Sequence, residues 1–215
     1  MRLLGDIGQP EILIPILSGS PPFHLNCFSP VTSPLHRGNV RSFRNISLRK
    51  ISIAKSLSGQ RSQKVEKSLA TENGTLLFAP DLHPHDFADI YTSLHAARWG
   101  LSADDLTHVT QQIVSLYKYV QGGVLLFNGE PVAALLAFAV SCKSILYFDF
   151  VNSGVKLKKT SRASAGTILL LKCISRAQEL AGSEGKVLRF SLGYEYGDES
   201  YKRQWGVAED TFLAY

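Results

Sequence analysis

The sequence predicts an α+β fold, a mixed and mostly antiparallel sheet flanked by helices. Three observations predict it. Short apolar runs with strand spacing cluster in residues 123–151 around an Asn128-Gly129 turn. Longer apolar stripes at helical spacing precede and follow that cluster. One such stripe separates a strand at 144–151 from a strand at 187–192, and a helical crossover makes such a pair parallel.

In chain order, residues 1–35 hold scattered strand-like pieces such as Ile12–Leu17. They are broken by Pro15, Pro21, Pro22, Pro30 and Pro34 and predict no sheet of their own. Residues 40–54 alternate, with Val40, Phe43, Ile46, Leu48, Ile51 and Ile53 among Arg, Ser and Lys, as one or two amphipathic strands do. Residues 57–72 predict a basic helix stopped at Asn73-Gly74, and Thr75–Ala79 a short strand. A helix starting at Asp86 carries Phe87, Ile90, Tyr91 and Leu94 on one face and runs out at Trp99-Gly100. Ser102 caps the next helix, with Asp104 and Asp105 in its first turn, where acids complement the helix dipole. Its stripe of Leu106, Val109, Ile113, Leu116, Tyr117 and Val120 ends at Gly122-Gly123.

Two apolar runs then meet across Asn128-Gly129, residues that tolerate positive φ, and a third strand spans Ser144–Val151 after a turn at Ser141-Cys142-Lys143. A polar, basic loop over 152–162 leads to a helix with Ser164 as N-cap and Gly166 in the first turn. Leu170, Leu171, Ile174, Ala177 and Ala181 form its apolar face, and Gly182 stops it. Val187–Leu192 is a strand, and Thr211–Tyr215 a last one.

The 215 residues, 45% of them hydrophobic, suffice for one domain or one domain with an appendage. The net charge is +5, and its distribution is uneven. Between Arg37 and Lys67 stand Arg37, Arg41, Arg44, Arg49, Lys50, Lys55, Arg61, Lys64 and Lys67 against Glu66 alone. Such a stretch is either a solvated face or a surface for phosphates, RNA or an anionic membrane. Cys27, Cys142 and Cys173 lie far apart, with no CxxC or Cys/His pairing, and predict reduced thiols, no metal and a cytosolic setting. The longest apolar run, Val132–Val140, is too short to cross a bilayer. Asp6 and Glu11 stand before the short apolar run at 12–17 and argue against a signal peptide. The chain opens as if in the middle of a strand region, so an upstream portion is expected. No Ser/His/Asp order, P-loop or dinucleotide fingerprint is present.

The strand–basic loop–helix step at KLKKTSRASAGT, residues 156–167, resembles that of the GNAT N-acetyltransferase superfamily. There the diphosphate of an acyl-CoA lies on backbone N–H groups at the helix start, which favour an anion. The resemblance implies that Arg162, Ser164, Ala165, Gly166 and Thr167 bind acetyl-CoA or another acyl donor. The superfamily fingerprint Arg/Gln-x-x-Gly-x-Gly/Ala is met only in part. Aligned on Arg162, Ala165 and Thr167 occupy the small positions and Gly166 lies between them. A plain capped helix is the alternative.

Four stretches, IYTSLHAARWG (90–100), NGEPVAAL (128–135), DFVNSGV (149–155) and LRFSLGYEYGDESYKRQW (188–205), carry a more specific resemblance. They are similar to the macrophage-inducible, Mig-14-like family linked to resistance against antimicrobial peptides, in the FemAB-like and cellulose-biosynthesis-type branch of that superfamily. The resemblance covers most of the chain. It implies a GNAT-like domain over 74–215, a basic linking helix over 57–73, and a partial strand-rich region over 1–56, the remnant of a first GNAT-like half. Where members read Ser-Pro-Gly at the phosphate step, this chain has Ser164-Ala165-Gly166, and the helix before residue 73 is poorer in arginine.

The segment GYEYGDESYKRQWG, residues 193–206, is the expected catalytic edge. An acyltransferase needs a base for the attacking amine or hydroxyl and an acid for the leaving thiolate. Glu195 or Asp198 suits the base and Tyr201 the acid, while Lys202 or Arg203 suits a substrate carboxylate or phosphate. The competing reading packs Tyr201 and Trp205 on the sheet and pairs Lys202 with Asp198. Asp149, between Phe148 and Phe150, either faces a wetter side of the sheet or is a shifted functional carboxylate. His95 and Arg98 lie on the helix where an acceptor would enter, or are ordinary surface residues.

Two functions follow from the resemblance. One is an acyl-CoA- or aminoacyl-dependent N-acyltransferase acting on an amine or a cell-envelope component, cytoplasmic or peripheral to the inner membrane. The other is a non-catalytic stress-response or regulatory protein of the same fold, with nucleic acid or the inner-membrane surface as partner.

Overall fold

A computed structural model describes residues 43–52, 59–141, 144–156, 164–194 and 205–214. Its order is β1 (Phe43–Ser52), α1 (Gly59–Thr71), β2 (Gly74–Phe78), α2 (Pro84–Trp99), α3 (Ala103–Ser115), β3 (Gly123–Phe127), β4 (Glu130–Ser141), β5 (Ile145–Val155), α4 (Ala165–Ser183), β6 (Val187–Tyr194) and β7 (Val207–Ala214). Short 3-10 turns occupy Ala79–Asp81 and Tyr117–Tyr119. This is the α+β class expected, with antiparallel pairs predominating and, among the described residues, β5 and β6 parallel.

The chain divides into two compact units. One comprises Ser56–Phe138 and Asn152–Leu180. Within it β2, β3 and β4 form an antiparallel run, from Gly74↔Phe127 to Phe78↔Gly123 and from Gly123↔Leu135 to Phe127↔Glu130. Asn128 and Gly129 make the turn with φ of 51° and 81°, the positive values that a tight hairpin requires. Phe87, Ile113, Leu125, Leu135, Leu136, Phe138 and Ile168 are fully buried. Gly122 allows a close approach, since a Cβ there would fall 1.8 Å from the Leu135 carbonyl oxygen.

The other unit comprises Met1–Lys55, Ala139–Val151 and Ala181–Tyr215. In it β5 runs parallel to β6 from Ile145↔Val187 to Asp149↔Ser191, as the helical crossover predicts. Phe148 stacks on Phe190 with centroids 5.6 Å apart. Strand β1 is antiparallel to both β6 and β7, and so lies between them.

Several boundaries differ from expectation: β7 begins at Val207 rather than Thr211, and β6 runs past Leu192 to Tyr194. Strand β5 continues through Asn152, Ser153 and Gly154 to Val155, where a loop was expected, and the Lys156 amide then donates to the Val132 carbonyl at 2.8 Å. Helix α3 ends at Ser115, although its apolar stripe continues to Val120. There the Tyr117 hydroxyl donates to the carbonyls of Ala79 and Leu82, and Val120 bridges to Phe138. Gly182 lies inside the last turn of α4, and Gly185 at φ 62° takes the left-handed position instead. The expected pieces in residues 1–35 and the turn at Cys142-Lys143 lie outside the described residues.

Candidate functional site

The first turn of α4 is built from the sequence outward. The Ser164 hydroxyl accepts from the Thr167 amide at 3.2 Å and donates to the Thr167 hydroxyl at 2.8 Å. That is an N-cap closed on the third helical residue, and it fixes where the helix begins. The amides ahead of Thr167 have no intrahelical acceptor, and with the helix dipole they favour an anion. Ala165 is buried, whereas Ser164 is exposed. Gly166 has a packing reason of its own, since a Cβ there would approach Val155 Cγ2 to 3.2 Å. Arg162, the remaining residue expected at a donor phosphate, lies outside the described residues.

In the same unit, the end of β5 meets the C-terminal half of α2. The Arg98 Nη1 donates to the Ser153 carbonyl at 3.0 Å and to its hydroxyl at 3.1 Å. Tyr91, His95 and Trp99 succeed one another at helical spacing, with centroid separations of 5.5 and 6.3 Å. The Arg98 guanidinium lies 5.0 Å from the Trp99 ring centre. Burial, with the charge of Arg98 beside it, holds the His95 imidazole below its ordinary range. Burial pushes the Tyr91 hydroxyl far up, so it stays protonated. The bond between Arg98 and Ser153 joins residues 55 apart and has no local signature in the sequence.

The other unit carries Asp149, 1% exposed on β5 in register with buried Ser191. A carboxylate at such depth needs hydrogen-bonding partners or a proton. Trp205 is buried, in line with an anchoring role. The expected base, acid and cation, Glu195, Asp198, Tyr201 and Lys202, lie outside the described residues. Among the described residues, no group of three or more His, Cys, Asp or Glu side chains is placed to hold a metal. No helix among them is long and apolar enough to cross a membrane.

Solved structures similar to the chain include the following two. The C-terminal DUF2156 domain of a putative lysylphosphatidylglycerol synthetase from Agrobacterium fabrum aligns with a TM-score of 0.47 at 16% identity, over 85% of this chain and 65% of that one. A conserved protein of unknown function from Bacteroides thetaiotaomicron aligns with a TM-score of 0.46 at 10% identity, over 76% of this chain and 55% of that one. The chain thus spans less than two thirds of either neighbour. Among curated proteins no significant relative is found. The family model for Mig-14 matches residues 1–213, and the chain therefore belongs to the Mig-14 family.

Proposed function

We propose that this protein acts in bacterial resistance to antimicrobial peptides as a GNAT-type acyl- or aminoacyl-transferase working on an amine or a cell-envelope component. Membership of the Mig-14 family carries this reading. The capped start of α4 supports it, because it offers amides and a helix dipole to a donor phosphate. In this scheme Ser164, Ala165, Gly166 and Thr167, with Arg162, hold the phosphate of acetyl-CoA or another acyl donor. Glu195 or Asp198 takes the proton of the acceptor, Tyr201 protonates the departing thiolate, and Lys202 holds an acceptor anion. The protein works in the cytoplasm or at the inner face of the inner membrane. Calorimetric titration with acetyl-CoA and with CoA tests the donor site. Saturable heat is expected, and its absence at millimolar ligand overturns the donor assignment.

A second reading, a non-catalytic regulatory protein of the same fold, is favoured by Gly166. The proximity of Val155 accounts for that glycine without any phosphate. On this reading Glu195→Ala and Tyr201→Phe leave resistance intact; loss of resistance in a normally folded variant excludes it.

A further inference from the structure

We propose that the C-terminal turns of α2 form a recognition site for an oxyanion, a carboxylate or phosphate, bound jointly by the imidazole of His95 and the guanidinium of Arg98 beside the Trp99 ring.

The ladder of Tyr91, His95 and Trp99 runs from core to surface. Tyr91 is buried, His95 is half-buried and Trp99 is 54% exposed. His95 Nδ1 is buried and has no hydrogen-bond partner. A buried N–H without an acceptor is costlier than a bare lone pair. The proton of the neutral ring therefore belongs on Nε2. Burial, with the charge of Arg98 beside it, favours the neutral form of the ring. His95 is thus a fixed hydrogen-bond donor and not a base.

Arg98 supplies the charge. Its Nη1 is held by Ser153, which leaves the Nε and Nη2 donors of the guanidinium fork. Among the described residues it has no carboxylate partner. Between Asp89 and Asp104 it is the one residue with a formal charge. Ser153 is itself fixed, because the neighbouring Gly154 is pressed against the α2 backbone. A guanidinium tethered by a neutral residue, without a counter-ion and beside a neutral N–H donor, matches an oxyanion, which accepts from both.

The site consists of α2 and the end of β5 alone, so it stands whether or not the chain transfers an acyl group. The test is nuclear magnetic resonance of the full chain with isotope-labelled histidine, titrated with inorganic phosphate and separately with acetate at constant ionic strength. In the free protein, His95 is expected as the Nε2–H tautomer. At least one of the two anions should shift its ring resonances saturably and raise its pKa. Saturation by phosphate alone or by acetate alone identifies which oxyanion the site takes. Arg98→Gln should weaken that binding at least about tenfold, about 1.4 kcal/mol. Arg98→Lys should restore it only in part, since an ammonium lacks the fork. An Nδ1–H tautomer, shifts that never saturate with either anion, or unchanged binding in a folded Arg98→Gln variant overturns the proposal. Loss of CoA binding at α4, with the His95 response intact, overturns the donor assignment and leaves this site standing.

Discussion

Gly154 lies against the backbone of His95: a Cβ at Gly154 would fall 2.5 Å from the His95 nitrogen and 2.5 Å from the Leu94 carbonyl carbon. Both neighbours are main-chain atoms of a helix and cannot swing aside. Gly154→Ala must therefore part α2 from β5 and stretch the bond between Arg98 and Ser153. Such overpacking costs about 1–3 kcal/mol. Urea denaturation should show a lowered midpoint at unchanged slope, and an unaltered midpoint would contradict the close contact.

Gly122 and Gly182 predict opposite signs for the same change. At Gly122 a Cβ would overlap the Leu135 carbonyl oxygen at 1.8 Å, so Gly122→Ala should destabilise at least as much as Gly154→Ala. At Gly182, in the last turn of α4, nothing lies within 4 Å. There Gly182→Ala removes backbone freedom from the unfolded chain and should stabilise by about 0.5–1 kcal/mol. Thermal melts of the two variants, run side by side, check both directions.

What the sequence made legible was local. The Asn128-Gly129 turn and the Ser164 cap each involve residues within three of one another, and both formed as read. The β5 extension was hidden because Asn152-Ser153-Gly154 has loop composition, while the bonds made there come from afar in sequence, from Arg98 on α2 to Ser153 and from the Lys156 amide to the Val132 carbonyl. The end of α3 was hidden for a similar reason. Leu116, Tyr117 and Val120 keep helical spacing, yet Tyr117 bonds to Ala79 and Leu82 and Val120 to Phe138. The place of β1 between β6 and β7 rests on backbone pairing across more than a hundred residues, which no local pattern encodes. Among the candidate site residues, the capped turn was legible, whereas the tautomer of His95 depends on burial that only the fold supplies.

Ser164 separates capping from anion binding. Ser164→Ala removes the acceptor for the Thr167 amide and should cost about 1 kcal/mol. Ser164→Asp keeps a cap and should hold stability near that of the parent. Its carboxylate repels a phosphate at the same amides, so CoA affinity should fall in a variant that melts normally. Equal CoA affinity in Ser164→Asp and the parent would place the donor elsewhere.

Burial pushes the Cys173 thiol up to about 12. The folded value lies above the unfolded one, so the neutral thiol stabilises the fold fully below about pH 9. That contribution declines as pH rises from about 9 towards 12, because the unfolded chain then releases a proton that the folded chain retains. Cys173→Ala should flatten the fall in stability over this window, though it also leaves a small cavity that lowers stability at neutral pH. Alkylation followed on the Cys173 peptide should be slow at pH 8 in the native protein and fast in urea. Rapid native alkylation would contradict its burial.

The last prediction concerns β1. Since β1 is antiparallel to both neighbours, β6 and β7 are parallel to each other and share no ladder with β1 removed. Ile51 pairs with Ala208 and lies between Lys50, opposite Tyr194, and Ser52, opposite Ser191. Ile51→Pro deletes an amide inside a strand bordered on both sides and costs about 3 kcal/mol or more. Hydrogen exchange should then quicken along β7 and the end of β6. The amides of the β2–β3 ladder, from Gly74↔Phe127 to Phe78↔Gly123, involve no residue of β1 and should keep their protection. Undiminished protection in β7 would show that β1 does not hold it, whereas equal loss in β2 and β3 would mean that the two units unfold together.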